Sequence, residues 1–303
     1  MDYQQLLLAL LPDLLVVVAL FAALGVDYAR MRGSRLAERY QMACRISAAG
    51  LIAGLAVILV QLTQASSFKA LASMTDGQLV LNTGTLTLKA LLYAMGLGVL
   101  PLAKRDQITP QVSEYFALLL LATLGMGFVV TSRNLLGAFV ALELVSLSLY
   151  AMTVLNQASR ASAEAALKYL TFGAVASGFL LFGLSYLYGA TEQLDLTQMT
   201  DLQHSPMLVL AYLLIFVGLG FKLALAPFHL WAPDVYQNAP TPVAGWIGSG
   251  SKIAAAALLI ALLKPVSSTL KEALIPALAA LAVLSMVVGN LGALRQTNLK
   301  RLL

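Results

Sequence analysis

Charge is what this chain has least of. Only 11% of its 303 residues are Asp, Glu, Lys or Arg, against 60% hydrophobic, where soluble domains carry about a quarter charged residues. Mean hydropathy is +0.84. So little charge excludes an ordinary water-soluble fold and points to a polytopic membrane protein. Cysteine is nearly absent. The single Cys44 excludes an internal disulfide or a cysteine-ligated cluster, and it reads as a small apolar residue near a helix start. The two histidines, His204 and His229, stand too far apart for a metal-ligand motif. No glycine-rich turn follows a strand to hold a dinucleotide. GLGF (218–221) and GLGVL (96–100) fall inside apolar runs, where glycine serves packing. No catalytic triad is readable. The net charge of +5 is spread along the chain, which argues against a nucleic-acid partner.

What is present is a series of long apolar runs. A bilayer core of about 30 Å needs about 20 apolar residues per helix. That spacing predicts an all-α bundle of nine spans, near 5–26, 44–64, 80–101, 113–131, 134–155, 162–188, 206–236, 242–264 and 273–294. Residues 298–303 read as the start of a tenth. The first run lacks a basic leader and is too long for a signal peptide, so it reads as a retained membrane helix. The seventh run is long and contains Pro227 and Pro233. Proline removes a backbone donor and clashes one turn back, at Leu223 for Pro227, so a broken helix is expected there.

Lys and Arg set the orientation. Eleven basic residues fall on one side: Arg30, Arg32, Arg35, Arg39 and Arg45, then Lys104 and Arg105, Arg160, and Arg295, Lys300 and Arg301. Five fall on the other: Lys69, Lys89, Arg133, Lys264 and Lys271. The positive-inside rule puts the first loop in the cytoplasm and the N-terminus outside. In a bacterial cell this means the inner membrane with a periplasmic N-terminus.

Four ionisable residues remain inside the spans: Glu143, Lys168, Lys222 and Lys252. A charge at mid-bilayer costs roughly 2.5–3.5 kcal/mol on insertion scales, so each must face protein or water and find a partner. Glu143 is too short and too deep to snorkel, and Lys222 is its obvious cation. Lys168 sits about two turns inside the sixth span, with Glu164 four residues earlier. Lys252 is flanked by Gly248, Ser249, Gly250 and Ser251, which leave room for water. His229, two residues past Pro227, suits proton relay. Asp234 reads as a cap or loop residue, and Asp13 as a carboxylate near the outer interface. Small residues of the sixth span, among them Gly173, Gly178 and Gly183, suit tight helix packing. Broken helices with charges beside the break are typical of ion-coupled transporters, so proton or ion handling is the leading reading, and a static buried ion pair is the competing one.

The segments ALELVSLSLYAM around Glu143, EAALKYLTFGAVASGFLLFGLSYLYGATE around Lys168, and FKLALAPFHLWAPDVYQNAPTPVAGWIGSGSK around Lys222 and Lys252 resemble the antiporter-like membrane subunits of respiratory complex I, in particular the subunit N group. The resemblance runs from about residue 5 to the end. It implies about fourteen helices with two inverted five-helix repeats, each with one broken helix. Residues 1–105 would form an N-terminal three-helix segment, 106–270 the first repeat, and 271–303 the start of a C-terminally truncated second repeat. The same resemblance implies that Glu143 and Lys222 are the family's carboxylate–lysine pair, Lys168 a neighbouring pathway lysine, Lys252 the central lysine and His229 the histidine past the break. It implies proton translocation with no cofactor in this chain, since NADH, FMN, iron–sulfur clusters and quinone belong to other subunits. The expected partners are the other membrane subunits and the lipid bilayer. Two other readings stay open: a subunit of a multi-subunit sodium/proton antiporter, and a truncated chain that only packs against neighbours. LELVSLSLY and Lys168 favour the complex I reading over the antiporter one.

Overall fold

The computed structural model describes residues 3–64, 79–155 and 159–302, so Lys69 of the outer basic set lies outside the described residues. Among them, nine helical spans are long and apolar enough to cross a membrane. We number the helices α1 (Tyr3–Val26), α2 (Leu36–Thr63), α3 (Thr83–Asp106), α4 (Val112–Thr131), α5 (Leu135–Val154), α6 (Arg160–Thr191), α7 (Pro206–Leu223), α8 (Ala232–Asn238), α9 (Thr241–Gly248), α10 (Gly250–Leu263), α11 (Ser268–Ala293) and α12 (Leu299–Leu302).

The ends follow local chemistry. Asn82 caps α3 by accepting from the Thr85 backbone, while the Thr85 hydroxyl accepts from the Asn82 N–H, a reciprocal capping box. Ser159, Ser205 and Ser267 cap α6, α7 and α11 through their hydroxyls. Two boundaries differ from the sequence reading. The first span continues through a π-helical turn, Asp27–Met31. The second begins at Leu36, so Arg39 lies within α2, where it clasps the Asp27 carboxylate with two hydrogen bonds of 2.7 and 2.6 Å. Paired charge at this end is tolerated inside the helix, which hydropathy alone cannot anticipate.

α4 is the hub. Its span is 78% buried, and it packs against α1, α2, α3, α5 and α10. It therefore joins the N-terminal helices to the rest of the bundle. α6 and α7 pack along most of their length. A Cβ on Gly183 would come 2.8 Å from the Ala211 carbonyl oxygen, and one on Gly218 would come 2.9 Å from that of Ala176. The two backbones approach that closely only through glycine. Gly178 faces open space and has no such role. α11 packs chiefly on α7, with only 6% of its span buried.

The expected break is present. α7 stops at Leu223, Ala224 takes a left-handed conformation with φ 56°, and helix resumes only at Ala232. The freed backbone groups are met: the Trp231 indole donates to Phe221 O at 3.2 Å, and Ser285 Oγ of α11 accepts from Ala226 N at 2.9 Å. That is how irregular backbone survives at membrane depth. A second interruption, at Ser249 between α9 and α10, has φ −118° and ψ −75°. No proline announces it.

Candidate functional site

Lys222 sits in the last turn of α7, where the helix dipole favours a cation, and is 8% exposed. Its ammonium donates to Ser146 Oγ of α5 and lies 5.7 Å from the ring centroids of Tyr150 and Phe221. Glu143 stands one turn before Ser146 on α5 and is half-buried. Its Oε1 accepts from Ser177 Oγ of α6 at 2.6 Å. Among the described residues no ion pair within 4.0 Å joins Glu143 to Lys222. Sequence placed them as direct partners. The structure instead holds each charge on its own serine.

Lys252 and His229 meet at one cavity of about 260 Å³, lined also by Tyr236, Ala224 and Gln296. Lys252 is half-buried, its ammonium 5.6 Å from the Tyr236 ring centroid. A second cavity, of about 290 Å³, opens on its other side past Thr241 to Lys300. Lys300 donates to Ala239 O at 2.7 Å. His229 Nδ1 and the Tyr236 hydroxyl are buried polar atoms without a hydrogen-bond partner among the described residues. Polar tips around a cavity of this size suit ordered water.

Lys168 is placed elsewhere. It is partly exposed and bridges Glu164 Oε1 at 2.7 Å and Asp234 Oδ2 at 2.9 Å, while Asp234 Oδ1 accepts from Arg301 at 2.9 Å. The expected Glu164 partner is confirmed. Asp234 is more than a cap: it ties α6, α8 and α12 together. Among the described residues no hydrogen bond or ion pair joins Lys168 to Glu143 or Lys222.

Two readings need correction. Asp13 is not a solvent-facing carboxylate, and Lys89 lies within α3 and is not an outer-loop cation. Both are buried, and they form an ion pair of 2.6 Å across α1 and α3. The polar run NTGTLTLK before Lys89 makes it look interfacial, and its partner is 76 residues away. Sequence reasoning also passed over Ser146 and Tyr236, and it read Ser177 only as a small packing residue of the sixth span, whereas it donates to Glu143. Ser146 could have been found, since it lies three residues from Glu143 and so on the same helix face.

The profile of the NADH:quinone oxidoreductase/Mrp antiporter transmembrane family matches residues 132–303, more than half of the chain. The chain belongs to this family. It is 43% identical to NADH-quinone oxidoreductase subunit N 2 of Acidobacterium capsulatum, over all of this chain and 64% of that relative. It is 37% identical to subunit N of Laribacter hongkongensis, over 98% of this chain and 60% of that one. The chain thus spans about three fifths of the length of these curated relatives. Among solved structures, a chain of respiratory complex I from Thermus thermophilus with bound aureothin matches with a TM-score of 0.78 and 34% identity, over 96% of this chain and 60% of that one. A chain of the Mrp complex from Dietzia sp. DQ12-45-1b matches over the whole of this chain and 56% of that one, with a TM-score of 0.71 and 21% identity, a likeness of fold. This family member is a multi-pass membrane protein with the antiporter-like fold, its seventh span broken beside Lys222.

Proposed function

We propose that this chain is part of a membrane subunit of a proton-pumping NADH:quinone oxidoreductase. In this reading it carries protons by way of Glu143, Lys222, His229 and Lys252, while other subunits hold NADH, FMN, iron–sulfur clusters and quinone and pass the electrons. The carrying observation is that a membrane-embedded carboxylate on α5 and a membrane-embedded lysine on α7 each rest on a separate serine and are not locked in a salt bridge with each other. An ionised Glu143 favours the ammonium of Lys222, and a protonated Glu143 does not. Charge at one residue thus sets the proton's standing at the other. Beyond the helix break, His229 and the cavities around Lys252 connect this pair to the side of Lys300, where protons would enter. Residues 106–270 act in this reading as one antiporter-like repeat, the lysine–aspartate network of Lys168 and Asp234 sits at its cytoplasmic rim, and the host membrane is the bacterial inner membrane with the N-terminus in the periplasm.

The test is Glu143→Gln and Lys222→Met in the full-length protein, in membrane vesicles oxidising NADH. Proton uptake per NADH is expected to fall in both while the complex still assembles. Unchanged uptake in both would leave only a structural role. Sodium/proton exchange that needs no NADH would instead favour the antiporter reading, which the family's breadth and the Mrp-like fold keep in view.

A further inference from the structure

Among the described residues the most deeply buried ion pair lies outside that line of residues. Lys89 of α3 donates to Asp13 Oδ2 of α1 at 2.6 Å, and Tyr93, one turn further along α3, donates its hydroxyl to Asp13 Oδ1 at 2.8 Å. Asp13, Lys89 and Tyr93 are 3%, 2% and 0% exposed. Both carboxylate oxygens are engaged. Glycines on two further helices make the room. A Cβ on Gly54 of α2 would come 2.9 Å from the Tyr93 ring and 3.0 Å from Pro12 O, and one on Gly127 of α4 would come 3.3 Å from Lys89 Cε. Four helices meet around one salt bridge.

The contrast with Glu143 and Lys222 is instructive. There each charge rests on a serine. Here the charges touch directly, and the cavities around Lys252 line neither residue. A closed buried pair adds little net stability over a well-packed apolar pair, but stranding one partner is heavily penalised. What such a pair supplies best is a unique register. A one-turn slip of α1 would bring Ala9 or Val17 to the place of Asp13 and leave the Lys89 ammonium in apolar surroundings. We propose that Asp13, Lys89 and Tyr93 form a register lock that seats the first three helices on α4, with no part in carrying protons.

The test uses Asp13→Leu, Lys89→Met and the double variant in the full-length protein in its own membrane, with Cys44→Ser so that spin labels can be placed at the exposed positions Val18 and Leu91. Each single variant is expected to cut the recovered protein by about tenfold, because an uncompensated charge remains. The double variant is expected to recover most of it, pump normally, and show a broadened label-to-label distance where the natural pair gives one narrow distance. Three results would overturn the lock: a double variant recovered no better than the singles, a double variant with an unchanged narrow distance, or a well-assembled double variant that no longer moves protons. Tyr93→Phe checks the third member independently of folding yield. It is expected to accumulate normally and unfold at a lower temperature, and an unchanged unfolding temperature would remove Tyr93 from the lock.

Discussion

At the scale of single residues, the hydroxyls beside the charges decide what those charges can do. Ser146 Oγ accepts from Lys222 while donating to Leu142 O at 2.6 Å, and Ser177 donates to Glu143. A serine can turn its O–H between donor and acceptor partners, which a salt bridge between the two charges would forbid. Ser146→Ala is therefore expected to slow proton movement on the order of tenfold, the worth of one hydrogen bond to a charged group, while the protein assembles normally. Proton uptake in vesicles at matched protein levels measures this, and an unchanged rate would show that the hydroxyl is a bystander. The charged residues were readable in the sequence because each breaks an apolar run. Local partners such as Glu164 of Lys168 were readable too, but the pairings across helices were not, since Ser177 sits 34 residues from Glu143 and Ser146 sits 76 from Lys222. Lys89 shows the same limit from the other side: its charge was visible, but only the fold discloses that Asp13 waits for it.

At the scale of elements, the helix break depends on Trp231. Its indole satisfies Phe221 O, and its ring stacks on Tyr169 of α6 with centroids 4.4 Å apart and planes 8° from parallel. It is 2% exposed. Trp231→Phe keeps the stack and loses the donor, which leaves a buried carbonyl unmet at a cost of about 1–3 kcal/mol. Trp231→Ala also opens a cavity, for about 3–5 kcal/mol. Thermal unfolding in detergent should therefore rank them natural protein, Phe, Ala, and equal midpoints for Phe and Ala would show that the ring contributes nothing. The break itself was legible because the seventh run is too long for one span and carries both Pro227 and Pro233. A lone proline does not decide it, since Pro12, Pro101 and Pro276 lie inside continuous helices. The interruption at Ser249 was not legible. A Gly-Ser run reads equally well as a close-packed helix, and only tertiary packing settled which it is.

At the scale of the whole molecule, the two faces of the bundle differ in how their charge is held. On the side of the first loop, Arg39 binds Asp27 and also donates to Pro110 O at 3.0 Å, and Tyr28 donates to Glu114 Oε1 at 2.7 Å. Side chains thus pin α1 and α2 to the entry of α4. Arg30, Arg32 and Arg35 crowd the same short turn, and short loops rich in Lys and Arg stay in the cytoplasm. The opposite face is tied mainly by backbone. Asn134 pairs with Asp195, Leu202 with Val266, and the Leu135 N–H donates to Leu194 O at 2.8 Å. These pairings hold the ends of α5, α6, α7 and α11 in one layer without basic side chains. If charge orients the chain as proposed, a cysteine at Gly33 and one at His204, both exposed positions, lie on opposite sides of the membrane. In a Cys44→Ser background, a membrane-impermeant maleimide added to spheroplasts is expected to label His204→Cys at once and Gly33→Cys only after permeabilisation. The reverse pattern would invert the bundle. It would turn the cavities beside Lys252 and Lys300 outward and make them an exit for protons in place of an entry.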